Sequence, residues 1–324
     1  FKEWIKWPER RTYKGVIFEP EGGMFREGNR TMPDTDYYNL YQGVALHPRR
    51  GDCSLILRHF KEVWAGGDHE KYEWLLDWHA CIVKYPREIG LPVPILKSIG
   101  GSGKGIIAAR VYQPIFGQHY QFIDSPEKLT DKVNAHMASS IMIVLNESIF
   151  SGDRRQVNKY KSVFWDEFRT VELKYINPFL VRNYAHGVIF TNEDQGAPVE
   201  MADRRHVGFD LSPKYVKNDD YFERLNDHCI NGGTAAFLYE LLQRDVNPAR
   251  MRTPPAWGSE AKQTAQTMNL HSFDSWLREW LHHGVNHFRD RDGNKIFPTE
   301  GSNWYEDVIA HDKDTIYDDY ERHT

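Results

Sequence analysis

The stretch that most constrains this chain is Pro94 to Gly105, PILKSIGGSGKG, an apolar run that breaks into glycines and ends in a lysine. Val93, Ile95 and Leu96 read as a short strand, and Ile106 to Tyr112 reads as helix. A strand, a Gly-rich turn and a helix in that order is the context in which GxxxxGK binds phosphate. Glycines let successive backbone N–H groups curl around an anion, the next helix presents its positive N-terminus, and the lysine ammonium reaches the outer phosphates. Two positions depart from the pattern. Its first glycine falls at Ser98, and the Ser or Thr that normally follows the lysine, with its hydroxyl on Mg²⁺, is Gly105. Taken alone, the stretch can also be read as a plain Gly-rich loop.

With 324 residues the chain has material for two domains or one large one. Its mean hydropathy is −0.65, and no apolar run approaches the ~18 residues of a membrane helix. A soluble protein with no membrane partner is expected. No signal peptide is visible, and the start at Phe1 without methionine predicts a piece of a longer chain. Cys53, Cys81 and Cys229 are too few and too scattered for a disulfide framework or a zinc site, so a reducing, intracellular setting is expected. The net charge of −5 carries no global nucleic-acid signature. Any such binding must come from local clusters.

Residues 1–52 read as an irregular, β-rich lead-in punctuated by Pro8, Pro20, Gly22, Gly23, Gly28 and Pro33. Over 53–90 the pattern turns helical. Leu55, Ile56, His59, Phe60 and Val63 recur at three- and four-residue spacing, and Tyr72, Leu75, Leu76, His79 and Val83 repeat it after Gly66-Gly67. His59 and His79 are assigned to packed faces rather than to ligands. Residues 91–215 form the expected core, and 216–248 a helical extension with two helices over Tyr221 to Gln243, broken at Asn231-Gly232-Gly233. The remainder, 249–324, reads as a C-terminal helical region. It opens with a linker over Arg250 to Gly258, and the opening of a winged-helix module is expected over Val308 to Tyr320. His283 and His287 have metal-ligand spacing but no third ligand.

Ile141 to Leu145, IMIVL, is a buried-type strand followed at once by Asn146-Glu147. A central strand ending in acidic or polar residues is the Walker B arrangement, where a carboxylate emerges at the carboxyl edge beside the phosphate loop. Glu147 is the candidate base that polarises water, and Asn146 is a neutral stand-in at the position that helps hold Mg²⁺. The bland alternative is a buried strand that happens to end in glutamate. A second such strand, Gly187 to Thr191, ends at Asn192, which is placed to hydrogen-bond a γ-phosphate or orient water. Arg204 and Arg205 precede the alternation Val207, Phe209, Leu211 and are candidates to stabilise a transferring phosphoryl group, in cis or from a neighbouring subunit. An ordinary surface salt bridge is the alternative.

Between the strands, residues 153–182 carry Arg154, Arg155, Lys159, Lys161, Arg169, Lys174 and Arg182, interleaved with Phe164, Trp165, Phe168, Tyr175 and Phe179. Basic and aromatic residues in alternation suit backbone contact and stacking on single-stranded nucleic acid. A solvated face is the competing explanation, because Asp153, Asp166, Glu167 and Glu172 dilute the charge.

The ordered set SIGGSGKG, IMIVLNE, VELKYINPFLVRN, VIFTN and DRRHV resembles the superfamily 3 helicases, and within them the phage and mobile-element primase-helicase proteins. The resemblance runs from Trp64 to Leu211, with a weaker echo at Tyr38-Asn39-Leu40. It implies an α/β fold with a P-loop AAA+ type core, a mainly parallel central sheet and a small C-terminal helical region. It also implies an ATP hydrolase acting as a DNA helicase. Gly100, Gly101, Ser102, Gly103, Lys104 and Gly105 would cradle ATP, with Lys104 on the β- and γ-phosphates. Asn146 and Glu147 would form Walker B with Mg²⁺, Asn192 would be the motif C residue, and Arg204 or Arg205 the arginine finger acting in trans. Lys174 matches the basic position of a hairpin that grips DNA in the ring's channel, with Lys161 and Arg182 flanking it. Partners implied are single-stranded or forked DNA, further copies in a hexamer, and a primase domain or protein, in the cytoplasm of a bacterial host. Gly105 and Asn146 depart from the family's metal-binding pattern. Two rivals follow from these departures and from the loop alone: a DNA-binding or assembly module with a degenerate nucleotide site, and a monomeric P-loop phosphotransferase.

Overall fold

The computed structural model describes residues 2–13, 15–20, 37–125, 137–146, 162–173, 176–192 and 205–259. Glu147, Lys161, Lys174, Arg204, the His283/His287 pair and the winged-helix opening lie outside these residues.

The lead-in holds a short helix α1 (Lys2–Lys6) that the turn-rich sequence does not announce, then strands β1 (Gly15–Ile17) and β2 (Tyr37–Asn39), paired in parallel. Phe18 anchors it to the body, with its ring 6.1 Å from Tyr41, 5.4 Å from His119 and 6.0 Å from Tyr184.

Helix α2 (Ser54–His59) continues through a π-helical turn, Phe60–Trp64, and stops at Gly66-Gly67, both with positive φ. Helix α3 (His69–Lys84) then starts at an Asp68 cap, whose side chain accepts from the Lys71 amide. Strand β3 (Val93–Ser98) leads into the glycine loop. Helix α4 (Lys104–Ile107) runs through a second π turn, Ala108–Tyr112, into α5 (Gln113–Phe116). Strands β4 (Tyr120–Ile123), β5 (Met142–Asn146), β6 (Phe168–Leu173), β7 (Ile176–Arg182), β8 (His186–Asn192) and β9 (His206–Asp210) follow. The chain then forms α6 (Asp219–His228), a kinked turn at Asn231-Gly232, α7 (Thr234–Gln243) and α8 (Pro248–Met251).

Five strands form one sheet in the order β4-β5-β8-β3-β9, every described pairing parallel. The expected mainly parallel α/β core is observed, and its physical cause is legible strand by strand. Parallel strands are covered on both faces and read as continuous apolar runs. In β5, Met142 and Val144 join one buried cluster while Ile143 and Leu145 join the other, as the two-residue period of a strand requires.

The larger cluster unites the sheet with α2, α3, α5 and α7. His79, fully inside it, lies 2.6 Å from the Leu75 carbonyl and 2.7 Å from the Tyr112 hydroxyl, while Trp78 donates to the Pro92 carbonyl at 2.8 Å. Phe60 stacks on Phe237 at 5.3 Å. The helices before the loop and the helical extension after the sheet therefore share one core. The 250–258 stretch is not a free linker: Met251 is buried, and Trp257 packs edge-on against Trp74 and Phe209 at 6.1 and 5.4 Å. Its prolines break helix, but the tryptophan supplies the apolar area that holds it down.

Strands β6 and β7 form a separate antiparallel hairpin, with Leu173 paired to Ile176. Arg169, one of the basic residues expected to face nucleic acid, is used inside the protein. Its guanidinium donates to the Met137 and Val163 carbonyls and to Asn183 Oδ1.

Candidate phosphate-loop site

The site begins where β3 ends. Ser98 stands where the loop pattern has its first glycine, and its buried hydroxyl lies 2.8 Å from that of Ser102, closing the base of the loop. Gly101 and Gly103 have φ of 82° and 81°, in the left-handed region that glycine enters without penalty. Gly103 is further required by space, since a Cβ there would come within 2.8 Å of carbons in both His59 and Phe222. Gly103 caps α4, so Lys104 is the first helical residue.

From that position Lys104 Nζ donates to the Thr191 carbonyl at 2.7 Å. Register explains the meeting. Ser98 pairs with Asn192, and Asn146 pairs with Phe190, so the carboxyl ends of β3, β5 and β8 lie side by side. A crevice outside the carboxyl ends of parallel strands is where open α/β sheets bind ligands. Gly100 to Gly105, Lys104, Asn146 and the backbone of Asn192 are thus gathered at one edge. The chain continues from Asn146 into Glu147, outside the described residues.

Arg205 is placed elsewhere. Its carbonyl accepts from the Val93 amide at 2.8 Å, and its guanidinium lies 5.3 Å from the Trp165 ring. That is the amino edge of the sheet, the length of β3 away from the loop, roughly 20 Å at the rise of a strand. Arg205 does not reach the loop of its own chain, which removes the in-cis reading for this arginine. Arg182 lies at the base of the β6–β7 hairpin, its side chain 3.4 Å from Glu167 and over the Tyr184 ring. Phe168, Phe179 and Leu180 of the same hairpin are exposed.

Two neighbours of the loop carry no sequence signal of their own. His59 is packed on its helical face as expected, and its ring also lies directly under Gly103. Val216 reaches to 3.8 Å from the Cβ position of Gly101, and the next residue, Lys217, holds a positive φ of 66°. Sequence proximity cannot link residues 59 and 216 to a loop at 101–103.

A family of unknown function (DUF5906) matches residues 96–205, about a third of the chain. No curated protein sequence matches. Among solved structures, the apo NrS-1 C-terminal region (305–718) aligns with a TM-score of 0.62 at 19% identity, covering 80% of this chain and 61% of that one. The A form of the apo NrS-1 C-terminal region aligns with a TM-score of 0.64 at 18% identity, covering 88% of this chain and 70% of that one. The chain therefore has the fold of the NrS-1 C-terminal region and spans less than two thirds of the 305–718 form. JCV helicase bound to a thiazolopyridine acetamide aligns at a TM-score of 0.37 and 13% identity, too low to carry weight.

Among the described residues no helix is long and apolar enough to cross a membrane, and no three His, Cys, Asp or Glu side chains could together hold a metal ion.

Proposed function

We propose that this chain is the ATPase core of a DNA helicase or translocase of a phage or mobile-element replication system, working as a homo-oligomeric ring. The observation that carries this reading is the meeting of Lys104 with the end of β8, beside β5, above a loop whose glycines at 101 and 103 adopt positive φ. That arrangement presents backbone N–H groups and an ammonium to a polyphosphate.

In the proposed cycle, Lys104 leaves the Thr191 carbonyl for the β- and γ-phosphates of ATP. Glu147 takes a proton from the attacking water and Asn192 orients that water or bonds the γ-phosphate. The water oxygen bonds to phosphorus as the bond to ADP breaks, and Arg204 or Arg205 of a neighbouring subunit stabilises the transferring charge. The position of Arg205 at the far edge of the sheet supports action in trans, and a hexamer is the ring proposed. Lys174, which follows Leu173 in sequence, with Lys161 and Arg182, would grip the backbone of single-stranded or forked DNA. A primase domain or protein is the further partner.

The described residues do not form a metal site: Asn146 offers an amide oxygen and Gly105 nothing. Mg²⁺ usually keeps several waters and binds through substrate phosphates with one or two carboxylates. Asn146 and Glu147 are its proposed protein contacts.

The test is the rate of ATP hydrolysis with and without single-stranded DNA; the motor reading expects stimulation. Gly105 and Asn146 favour a second reading, a DNA-binding or assembly module with a degenerate nucleotide site, which expects DNA binding without turnover. A monomeric phosphotransferase expects no change in size when an ATP analogue and DNA are added together.

A further inference from the structure

Beneath the phosphate loop lies a side chain that the hydrolysis scheme does not use. His59 closes α2 and is 0% exposed. The position of a Cβ on Gly103 is 3.0 Å from its Nε2. Its Nδ1 lies 3.2 Å from the hydroxyl of Tyr221 in α6, while Nε2 has no hydrogen-bond partner among the described residues. A buried polar atom left without a partner costs about 1–3 kcal/mol. A purely apolar ring would fill the same place without that cost.

The contacts of His59 continue outward from the loop. Phe222 touches the same Gly103 position and meets the imidazole edge-on at 6.4 Å. Tyr221 stacks on Tyr215 at 3.6 Å, and the Tyr215 hydroxyl donates to Glu62, which also accepts from Lys214 at 2.9 Å. One continuous path of rings and hydrogen bonds therefore joins Gly103 to the first turn of α6 and returns to the π turn after α2.

We propose that His59 is a positioning residue that couples occupancy of the phosphate loop to α6 through the hydroxyl of Tyr221. The inference rests on the reading of the loop as a nucleotide site. Its physical basis is packing. Gly103 has no space to its rear, so a loop that draws its amides toward a phosphate changes its contact with the imidazole. The imidazole is tied to Tyr221 at Nδ1 and has no bond at Nε2 to hold it in the empty-loop position. When Nδ1 accepts the Tyr221 hydroxyl proton, Nε2 carries its own proton and faces the loop.

The experiment measures ADP binding by calorimetry and amide exchange over 219–228 with and without ADP, in the unsubstituted chain, in His59→Phe and in Tyr221→Phe. Tyr221→Phe keeps the ring stack and removes only the hydroxyl, so it decides the matter alone where His59→Phe does not fold. The expected result is that ADP slows exchange in 219–228 by about fivefold or more in the unsubstituted chain. Both variants still bind ADP, yet lose most of that protection, and the double variant loses no more than either single one. Protection that persists in Tyr221→Phe overturns the coupling, as does ADP binding to the unsubstituted chain without any response in 219–228. Failure of the unsubstituted chain to bind ADP overturns the nucleotide reading and the coupling together.

Discussion

Lys104 Nζ and the Thr191 carbonyl are 2.7 Å apart, so the loop lysine of β3–α4 is already directed at the end of β8. Residues 87 positions apart in sequence meet there because β3 and β8 are neighbours in register. Removing the ammonium should remove the charge that a polyphosphate needs. Lys104→Ala is expected to lower ATP turnover by about 100-fold or more, equivalent to ~2.7 kcal/mol of transition-state stabilisation. Steady-state ATPase assays check this, and full activity in the variant would sink the nucleotide reading.

The loop glycines are not equivalent. At Gly103 both φ and the nearby rings of His59 and Phe222 forbid a side chain, whereas a Cβ on Gly100 meets nothing within 4 Å. Gly103→Ala is expected to destabilise the fold by about 2 kcal/mol or more, and Gly100→Ala by less than about 0.5 kcal/mol. Urea denaturation of the two variants side by side gives the comparison.

Gly105 lies inside α4 with open space around its Cβ position. Gly105→Ala should therefore stabilise the chain by about 0.5–1 kcal/mol, because alanine loses less backbone entropy in a helix. A thermal melt that falls instead would contradict the helical gain expected at this open position.

Ser98→Gly restores the usual first glycine of the loop pattern but removes the hydroxyl paired with Ser102. The expected cost is about 1–2 kcal/mol, from the lost hydrogen bond and a glycine at a strand end. Chemical denaturation measures it, and a neutral result would mean that water replaces the hydroxyl.

Burial holds His59, His79 and His186 at pKa values of about 4, below the usual 6.5. Between those values the unfolded chain binds more protons than the folded one, so stability rises with pH across the window. It is fully present above about 6.5 and is lost as pH falls toward 4. Denaturation free energy should drop by at least about 1 kcal/mol between pH 7 and pH 5. An unchanged value would contradict the burial of these imidazoles as neutral groups.

Much of this fold can be read directly from residue order. The runs around Ile95, Val144 and Ile189 are apolar on successive residues, as strands covered on both faces require. Gly66-Gly67 and Asn231-Gly232 mark the helix breaks where positive φ occurs at Gly66, Gly67 and Gly232. The loop at 98–105 is legible because a left-handed backbone and an adjacent lysine leave a compositional trace.

Other features leave no such trace. Trp257 reads as linker because its neighbours are prolines, and only packing against Trp74 and Phe209 shows where it belongs. Arg169 reads as one more surface cation until the Met137 and Val163 carbonyls and the Asn183 amide surround it.

By itself, then, the sequence determined the strands, the helix breaks and the glycine-lysine loop, since each depends on local backbone freedom and side-chain period. Tertiary structure alone decided which distant residues serve that loop. Strand order brought Thr191 to Lys104 and carried Arg205 to the opposite edge, and helix packing set His59 under Gly103. Those placements follow from how elements pair and stack, which no local pattern encodes.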